Sequence, residues 1–451
     1  MDRRNDLRRI AQAALESVDP VRIVRRSLRV QRRTLQVRTR DVRRDFDLAR
    51  FSRIFVLGFG KAAGAMAQAV EEVLGSRIDR GLIVVKPGHE ARLNLIRQVP
   101  GAHPVPDESS VRAAAEIAAL ADEADERTLV VILVSGGGSS LLAAPLDLGE
   151  TGLSLDDIQE TSRQLLACGA AIGEMNCVRK HLLLLAGGRL ARRIAPATSI
   201  SLVLSDVVGD DPQTIASGPT CADSTTYDQA ISIARYHGID GTLPAAVMGL
   251  LREGAAGRVP ETPKPGAPEL AAVSNILVGT NLFALRGAAE EAGRLGYHPL
   301  VLTSHMAGEA REVARVLAAV AKDAAASGTP CELPACILAG GETTVTLRGN
   351  GKGGRNQEMA VAFLREMELY PALFSRAWFL SFSTDGEDGP TDAAGGFADS
   401  AAGEAVRAAG LSVQNALSRN DSYTLLDRIE SLFVTGPTGT NVCDIHILIV
   451  I

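Results

Sequence analysis

From residue 51 onward, short apolar runs alternate with alanine-rich stretches of helical period, and this alternation constrains the chain more than any other feature. The run 128–134, Thr-Leu-Val-Val-Ile-Leu-Val, has no polar side to turn to water, so both of its faces must be covered. Helices on both faces of a parallel sheet supply that cover. The first half gives strands at 54–57, 82–85, 95–99, 128–134 and 201–204, with helices at 61–74 and 109–124 among them. The segment 254–268 holds four prolines and three glycines, the composition of a linker. A second domain follows, with strands at 275–278, 299–303, 335–339, 343–347, 378–383, 432–435 and 445–450 and helices at 282–295 and 309–325. The expected division is a domain over 1–253, with leading helices within 3–45, a linker over 254–270 and a domain over 271–451.

The chain of 451 residues is too long for one ordinary core, and 46% hydrophobic with 22% charged residues describes a soluble globular protein. A net charge of −6 gives no overall basic field to draw it to nucleic acid or an anionic membrane. Arginines crowd the first 44 residues, but Asp2, Asp6, Glu16 and Asp19 interrupt them while Leu7, Ile10, Ala14 and Val18 recur at helical spacing. They are expected to form a solvated face. Asp19-Pro20 then offers a cap and a first-turn proline for a second helix. No membrane-length apolar run or signal peptide is visible, and the six cysteines show no zinc spacing, so a cytoplasmic protein with reduced thiols is expected.

The glycines cluster where strands end, which is where ligands bind in open α/β sheets. Gly58-Phe59-Gly60-Lys61-Ala62-Ala63 fits the dinucleotide fingerprint after a strand, yet the next strand ends in Lys86, not in the acid that would hold an NAD ribose. A plain turn is the competing reading, and it leaves Lys61 unexplained. Ser135, Gly136, Gly137, Gly138, Ser139 and Ser140 follow the buried strand 128–134 as a candidate anion nest. Asp206 follows strand 201–204, where a carboxylate can hold Mg²⁺ or accept a hydroxyl proton. Asp210 and Asp211 beyond it read equally well as turn residues. Gly353, Gly354 and Arg355 precede Asn356, the expected first residue of a helix running to about 369. A cation on a helix N-terminus costs about 0.3–1 kcal/mol unless an anion is bound, so Lys61 and Arg355 both point to a phosphate or carboxylate ligand. The loop Thr384 to Asp392, with Asp385, is dense in oxygen ligands but lacks EF-hand spacing, and Thr435 to Asn441, with Thr438, is another glycine-rich loop leaving a strand. There is no Walker A motif, kinase catalytic loop or nucleophile elbow. His103 and His181 lie near candidate loops and read as structural.

With GFGKAA at 58–63, HPVPDE at 103–108, SGGGSS at 135–140, EMNCVRKHL at 174–182, LSDVVGD at 204–210, ASGPT at 216–220, GGRNQE at 353–358, TDGEDGPTDAAG at 384–395 and TGPTGTNV at 435–442, the chain resembles the class II glycerate kinases. The resemblance implies a Rossmann-like, doubly wound parallel-sheet domain, a smaller α/β domain of the MOFRL type, and an active site in the cleft between them. It implies Lys61 and Arg355 as the functional pair. Some members are labelled hydroxypyruvate reductases. Cys443 stands where the family pattern leads one to expect Asn, and Gly173 and Ser383 also depart from it.

The expected reaction is ATP- and Mg²⁺-dependent phosphorylation of D-glycerate at the 2-hydroxyl. Lys61, Arg355 and Asp206 are the expected catalytic residues. Gly58, Gly60, the loop 135–140, Gly353, Gly354, Asn356, Thr438 and Asn441 are expected to bind substrate or nucleotide, and Asp206 and Asp385 the metal. The expected partners are the small molecules D-glycerate and ATP, with no nucleic acid and no membrane. Oligomeric state stays open, a homodimer included. An NAD(P)H-dependent hydroxypyruvate reductase and a non-catalytic nucleotide sensor are the alternatives.

Overall fold

The computed structural model describes residues 2–146 and 152–451, which divide into two compact units. One comprises Pro20–Ser205 and Asp210–Val278; the other comprises the residues up to Asp19, Asp206–Gly209 and Gly279–Ile451.

The first unit opens with the helix Pro20–Ser27 and three antiparallel strands, β1 (Leu28–Gln31), β2 (Thr34–Arg38) and β3 (Arg43–Asp47). The leading helices expected within 3–45 therefore stop at Ser27. Leu35 and Val37 alternate into the interior along β2, a period of two that the surrounding arginines obscure, and Arg32 turns the chain at φ 56°. Then come β4 (Arg53–Phe59), β5 (Arg80–Val85), β6 (Arg97–Pro100), β7 (Thr128–Val134), β8 (Thr198–Leu204) and β9 (Val273–Gly279), ordered β6-β5-β4-β7-β8-β9 across one sheet. The pairings from β6 through β8 are parallel. Every residue of β7 is buried, as its unbroken apolar text requires. The chain winds outward from β4 to β6 and then from β7 to β9, so the order reverses between β4 and β7. That is the doubly wound, Rossmann-type arrangement.

The second unit carries β10 (His298–Met306), β11 (Ala335–Gly341), β12 (Ala377–Ser383), β13 (Gly395–Ala398), β14 (Leu432–Phe433) and β15 (Asp444–Val450), ordered β10-β11-β15-β12-β13-β14. Only β10 and β11 pair in parallel; β15 runs antiparallel to both β11 and β12. The expectation of a parallel sheet throughout is therefore corrected here to a mixed one. Buried strands look alike in either direction, because all seven residues of β11 and of β15 are buried. The helices Ala310–Ser327 and Arg355–Leu369 pack on this sheet, with Phe363 stacked on Phe379 at 4.5 Å between ring centroids.

The division departs from the expected linker in two ways. Strand β9 completes the first sheet rather than opening the second domain. The helix Arg3–Ser17 belongs to the second unit, burying Leu7, Ile10, Ala11 and Ala14 there. Its arginines are not simply a solvated face. Arg4 donates to both carboxylate oxygens of buried Asp399, at 2.6 and 3.0 Å. Residues 343–347 form no strand: Thr344 makes a single bridge to Glu309, Thr346 N–H donates to the Glu309 carboxylate, and Leu347 is 78% exposed. The helices expected at 61 and 356 begin at Ala63 and Arg355. Among the described residues no helix is long and apolar enough to cross a membrane.

Candidate functional sites in the two units

At the reversal of the first sheet, the turn after β4 meets the loop after β7. Gly60 has φ 122°, and a Cβ there would stand 2.2 Å from Ser135 Oγ and 2.5 Å from Ser135 O, so only glycine fits. Gly58 lets the strand close on Ile83 and Leu133. Lys61 N–H donates to Gly136 O at 2.9 Å, and Ser135 Oγ accepts from Ala62 N–H at 3.0 Å. Gly58, Gly60, Lys61 and the loop 135–140 are thus brought together.

This corner has donors to spare. The N–H groups of Gly136, Gly137 and Gly138 and the Lys61 ammonium make no hydrogen bond or ion pair among the described residues. His103 lies against Gly137, where a Cβ would come within 2.8 Å of its ring. Desolvation, then the charges of Lys61, Lys86 and His89, lower the His103 pKa to about 4. The corner is electropositive, as an anion site must be. Within the loop, Ser139 Oγ shares a hydrogen bond with Ser217 Oγ at 2.9 Å, and Ser140 Oγ donates to Pro104 O at 2.8 Å. His181 is structural: Cys177 O and Glu261 hold its two ring nitrogens, and its ring lies against Tyr227. Asp211 accepts from Gln213 N–H and Thr214 Oγ1 as a turn residue.

In the second unit the register sets Gly341, Asp444 and Ser383 side by side, so the first residue of β15 lies at the carboxyl ends of β11 and β12. Arg355 Nε donates to Asp444 Oδ2 at 2.5 Å and Nη2 to Oδ1 at 2.9 Å, while Nη1 lies 2.9 Å from Glu342 Oε1. Desolvation disfavours the charged guanidinium, but Asp444 and Glu342 outweigh it and raise its pKa. The helix N-terminus beneath is also occupied from within: Asp388 accepts from Asn356 N–H at 3.1 Å and Gln357 N–H at 2.8 Å. Burial chiefly raises the Asp388 pKa to about 6. The inference that Arg355 requires an outside anion is therefore corrected. The protein supplies the anions itself.

Asn356 is fully buried, bonding Asp388 and Ser381. A Cβ on Gly353 would collide with Ser422 and one on Gly354 with Asp388, so these glycines serve close packing. Thr438 Oγ1 donates to Thr384 O at 2.6 Å, and Asn441 Oδ1 accepts from Cys443 N–H at 3.0 Å; both shape their own loop.

Acid gathers around Arg355. Desolvation raises the Glu342 pKa against the pull of Arg355, and the charges of Asp444, Asp206 and Asp385 push it further. Asp385 accepts from Ser383 Oγ at 2.7 Å, and Asp206 O accepts from Cys443 Sγ at 3.1 Å. Asp206, Asp385 and Arg355 are thus assembled within one unit, together with Glu342 and Asp444, which sequence reasoning missed. Glu342 follows the two glycines ending β11, a usable signal; Asp444 had none, because a strand's first residue marks a binding edge only if that strand runs backward. Among the described residues no three His, Cys, Asp or Glu side chains form a ready metal cage. Magnesium held with a nucleotide needs only one or two carboxylates, so this donor set fits it.

Residues 6–252 match a family described as a domain of unknown function, DUF4147, and residues 335–444 match the MOFRL family. Glycerate 2-kinase of Pyrococcus horikoshii is 38% identical over 100% of this chain and 98% of its own length. A protein of Agrobacterium vitis, provisionally named a hydroxypyruvate reductase, is 41% identical over 99% of this chain and 94% of its own. The crystal structure of a glycerate kinase from Thermotoga maritima superimposes with a TM-score of 0.84 at 36% identity, covering 98% of each chain.

Proposed function

We propose a reaction on the premise that this chain belongs to the glycerate kinase family: transfer of the terminal phosphoryl group of ATP to the 2-hydroxyl of D-glycerate, giving 2-phosphoglycerate and ADP. The full-length relation to a glycerate 2-kinase carries the reading. In the transfer the 2-hydroxyl oxygen bonds to the γ-phosphorus as the bond to the β–γ bridging oxygen breaks, and the hydroxyl proton leaves. Little covalent chemistry falls to the protein, whose task is to position the reactants and to neutralise charge.

Lys61, the unused N–H groups of Gly136 to Gly138 and the turn of Gly58 and Gly60 support an anion cradle for the transferring phosphoryl group or the substrate carboxylate. Arg355 serves the same chemistry with a charge that Asp444 keeps fixed in place. Asp206 receives the hydroxyl proton or, with Asp385, holds Mg²⁺. Magnesium, when bound, would neutralise the phosphate oxygens.

Incubation with ATP, Mg²⁺ and D-glycerate, followed by phosphorus NMR, tests the reaction, because the 2- and 3-phosphate isomers resolve. The signal of 2-phosphoglycerate is expected. A second reading, an NAD(P)H-dependent hydroxypyruvate reductase, draws on the Rossmann strand order and the name of the Agrobacterium relative. Oxidation of NADPH by hydroxypyruvate, with ATP left intact beside glycerate, would replace the first reading with the second.

A further inference from the structure

The first unit contains a cavity of about 710 Å³ that none of the roles above uses. Its walls are largely apolar, with Pro104, Val105, Ile158, Leu166 and Leu183 among the described residues that line it. Val105 and Leu166 stand at 63% and 65% exposure, large apolar side chains left in water. A three-carbon acid bristling with oxygens would fill a small part of such a space and satisfy none of its walls. The volume and character are those of a drug-sized or cofactor-sized ligand.

Polar groups sit at defined places in these walls. Ser139 and Ser140 line the cavity, directly after the unused N–H groups of Gly136 to Gly138. Two guanidinium groups also line it. Arg163 is held by Glu160 through two hydrogen bonds, at 2.8 and 2.5 Å. The guanidinium of Arg179, on the helix Ile172–Leu182, makes no hydrogen bond or ion pair among the described residues. A desolvated guanidinium without a partner is costly, and an arriving anion would relieve that cost with a bidentate contact. Desolvation indeed holds the Arg179 pKa below its usual value. Asp156, also in the wall, offers a carboxylate to hydroxyl or amino groups.

We infer that this cavity is the nucleotide pocket: the base and ribose lie against the apolar wall, Arg179 grips a phosphate, and the phosphate chain runs past Ser139 toward the loop 135–140. The inference rests on the kinase reading and places the nucleotide, rather than the acid, on this unit.

Two variants test it in the full-length protein, Arg179→Met and Leu166→Glu. The second changes a mostly exposed side chain and puts a negative charge into the wall. Binding of the fluorescent analogue mant-ADP, measured without D-glycerate, is expected to weaken at least tenfold in each. In turnover, KM for ATP should rise by a similar factor while KM for D-glycerate stays within twofold. Unchanged mant-ADP affinity in both folded variants, no mant-ADP binding by the unmodified protein, or a rise in KM confined to D-glycerate would each overturn the assignment. Failure of the kinase reading would show separately, as mant-ADP binding that depends on Arg179 in a protein that forms no 2-phosphoglycerate.

Discussion

Arg355 faces Asp444 fork to fork, through paired hydrogen bonds of 2.5 and 2.9 Å, and the carboxylate it grips is completely buried. Removing the guanidinium would leave that charge without its partner. Arg355→Ala is therefore expected to lose about 3 kcal/mol of stability in urea denaturation, beyond its effect on turnover. Adding Asp444→Asn should recover part of the loss, giving a double-mutant cycle whose terms do not add.

Lys61 should behave in the opposite way. Its ammonium has no partner to abandon among the described residues, so Lys61→Ala is expected to melt within a few degrees of the unmodified protein. Its turnover should fall a hundredfold or more, on the order of 3 kcal/mol of transition-state stabilisation. Near-normal turnover in that folded variant would remove Lys61 from the catalytic set.

Acid should weaken the fold through His103. Its folded pKa of about 4 lies below its ordinary value of 6.5, so the unfolded chain takes up the proton first. The stability this histidine contributes is fully present above pH 6.5 and is lost as pH falls toward 4, by about 1–2 kcal/mol once solvent screening is allowed for. A flatter dependence of the urea midpoint over that window is expected for His103→Asn. Pyrophosphate bound at the same corner should move the His103 resonance pKa upward, measurable by NMR titration.

Gly60→Ala should be among the most damaging small substitutions. Both the positive φ and the clash with Ser135 act against it, at a combined cost of about 2–4 kcal/mol, measured as a lowered urea midpoint.

Cys443 occupies the left-handed region at φ 66°, where Asn is favoured among non-glycine residues. Cys443→Asn is expected to stabilise the protein by about 0.5–1 kcal/mol, raising Tm by a few degrees. A lowered Tm would mean that the contact of the thiol with Asp206 O outweighs the backbone preference.

The first sheet was legible because its strands carry their apolar text without interruption and their glycine turns fall at one end. Lys61 and the loop 135–140 followed from the same signal. The second unit was harder, for two physical reasons. Strand direction leaves no mark on a strand buried on both faces, so β15 and its Asp444 stayed hidden. The burial of Asn356 left no mark either, because an amide bonding Asp388 inside the unit and an amide at the surface have the same sequence. Arg355 was found for a reason only half right: its position on a helix end does call for negative charge, and Asp388 and Asp444 deliver it from far along the chain.

Strand β15 lies at the middle of the second sheet, between β11 and β12, and it follows the other strands of that sheet in the chain. The helix Arg3–Ser17, which precedes every strand of that sheet in the chain, belongs to the same unit and contacts β15 there. At about 5–20 residues per second, its apolar stripe must wait on the order of half a minute for its chief partner, the helix Asn281–Arg294, and longer for β15. During that interval the first unit can complete its sheet before any strand of the second has been made. Vectorial synthesis thus makes one unit early and the other late, and gives the nascent chain a long period in which Leu7 and Ile10 need shelter from wrong contacts.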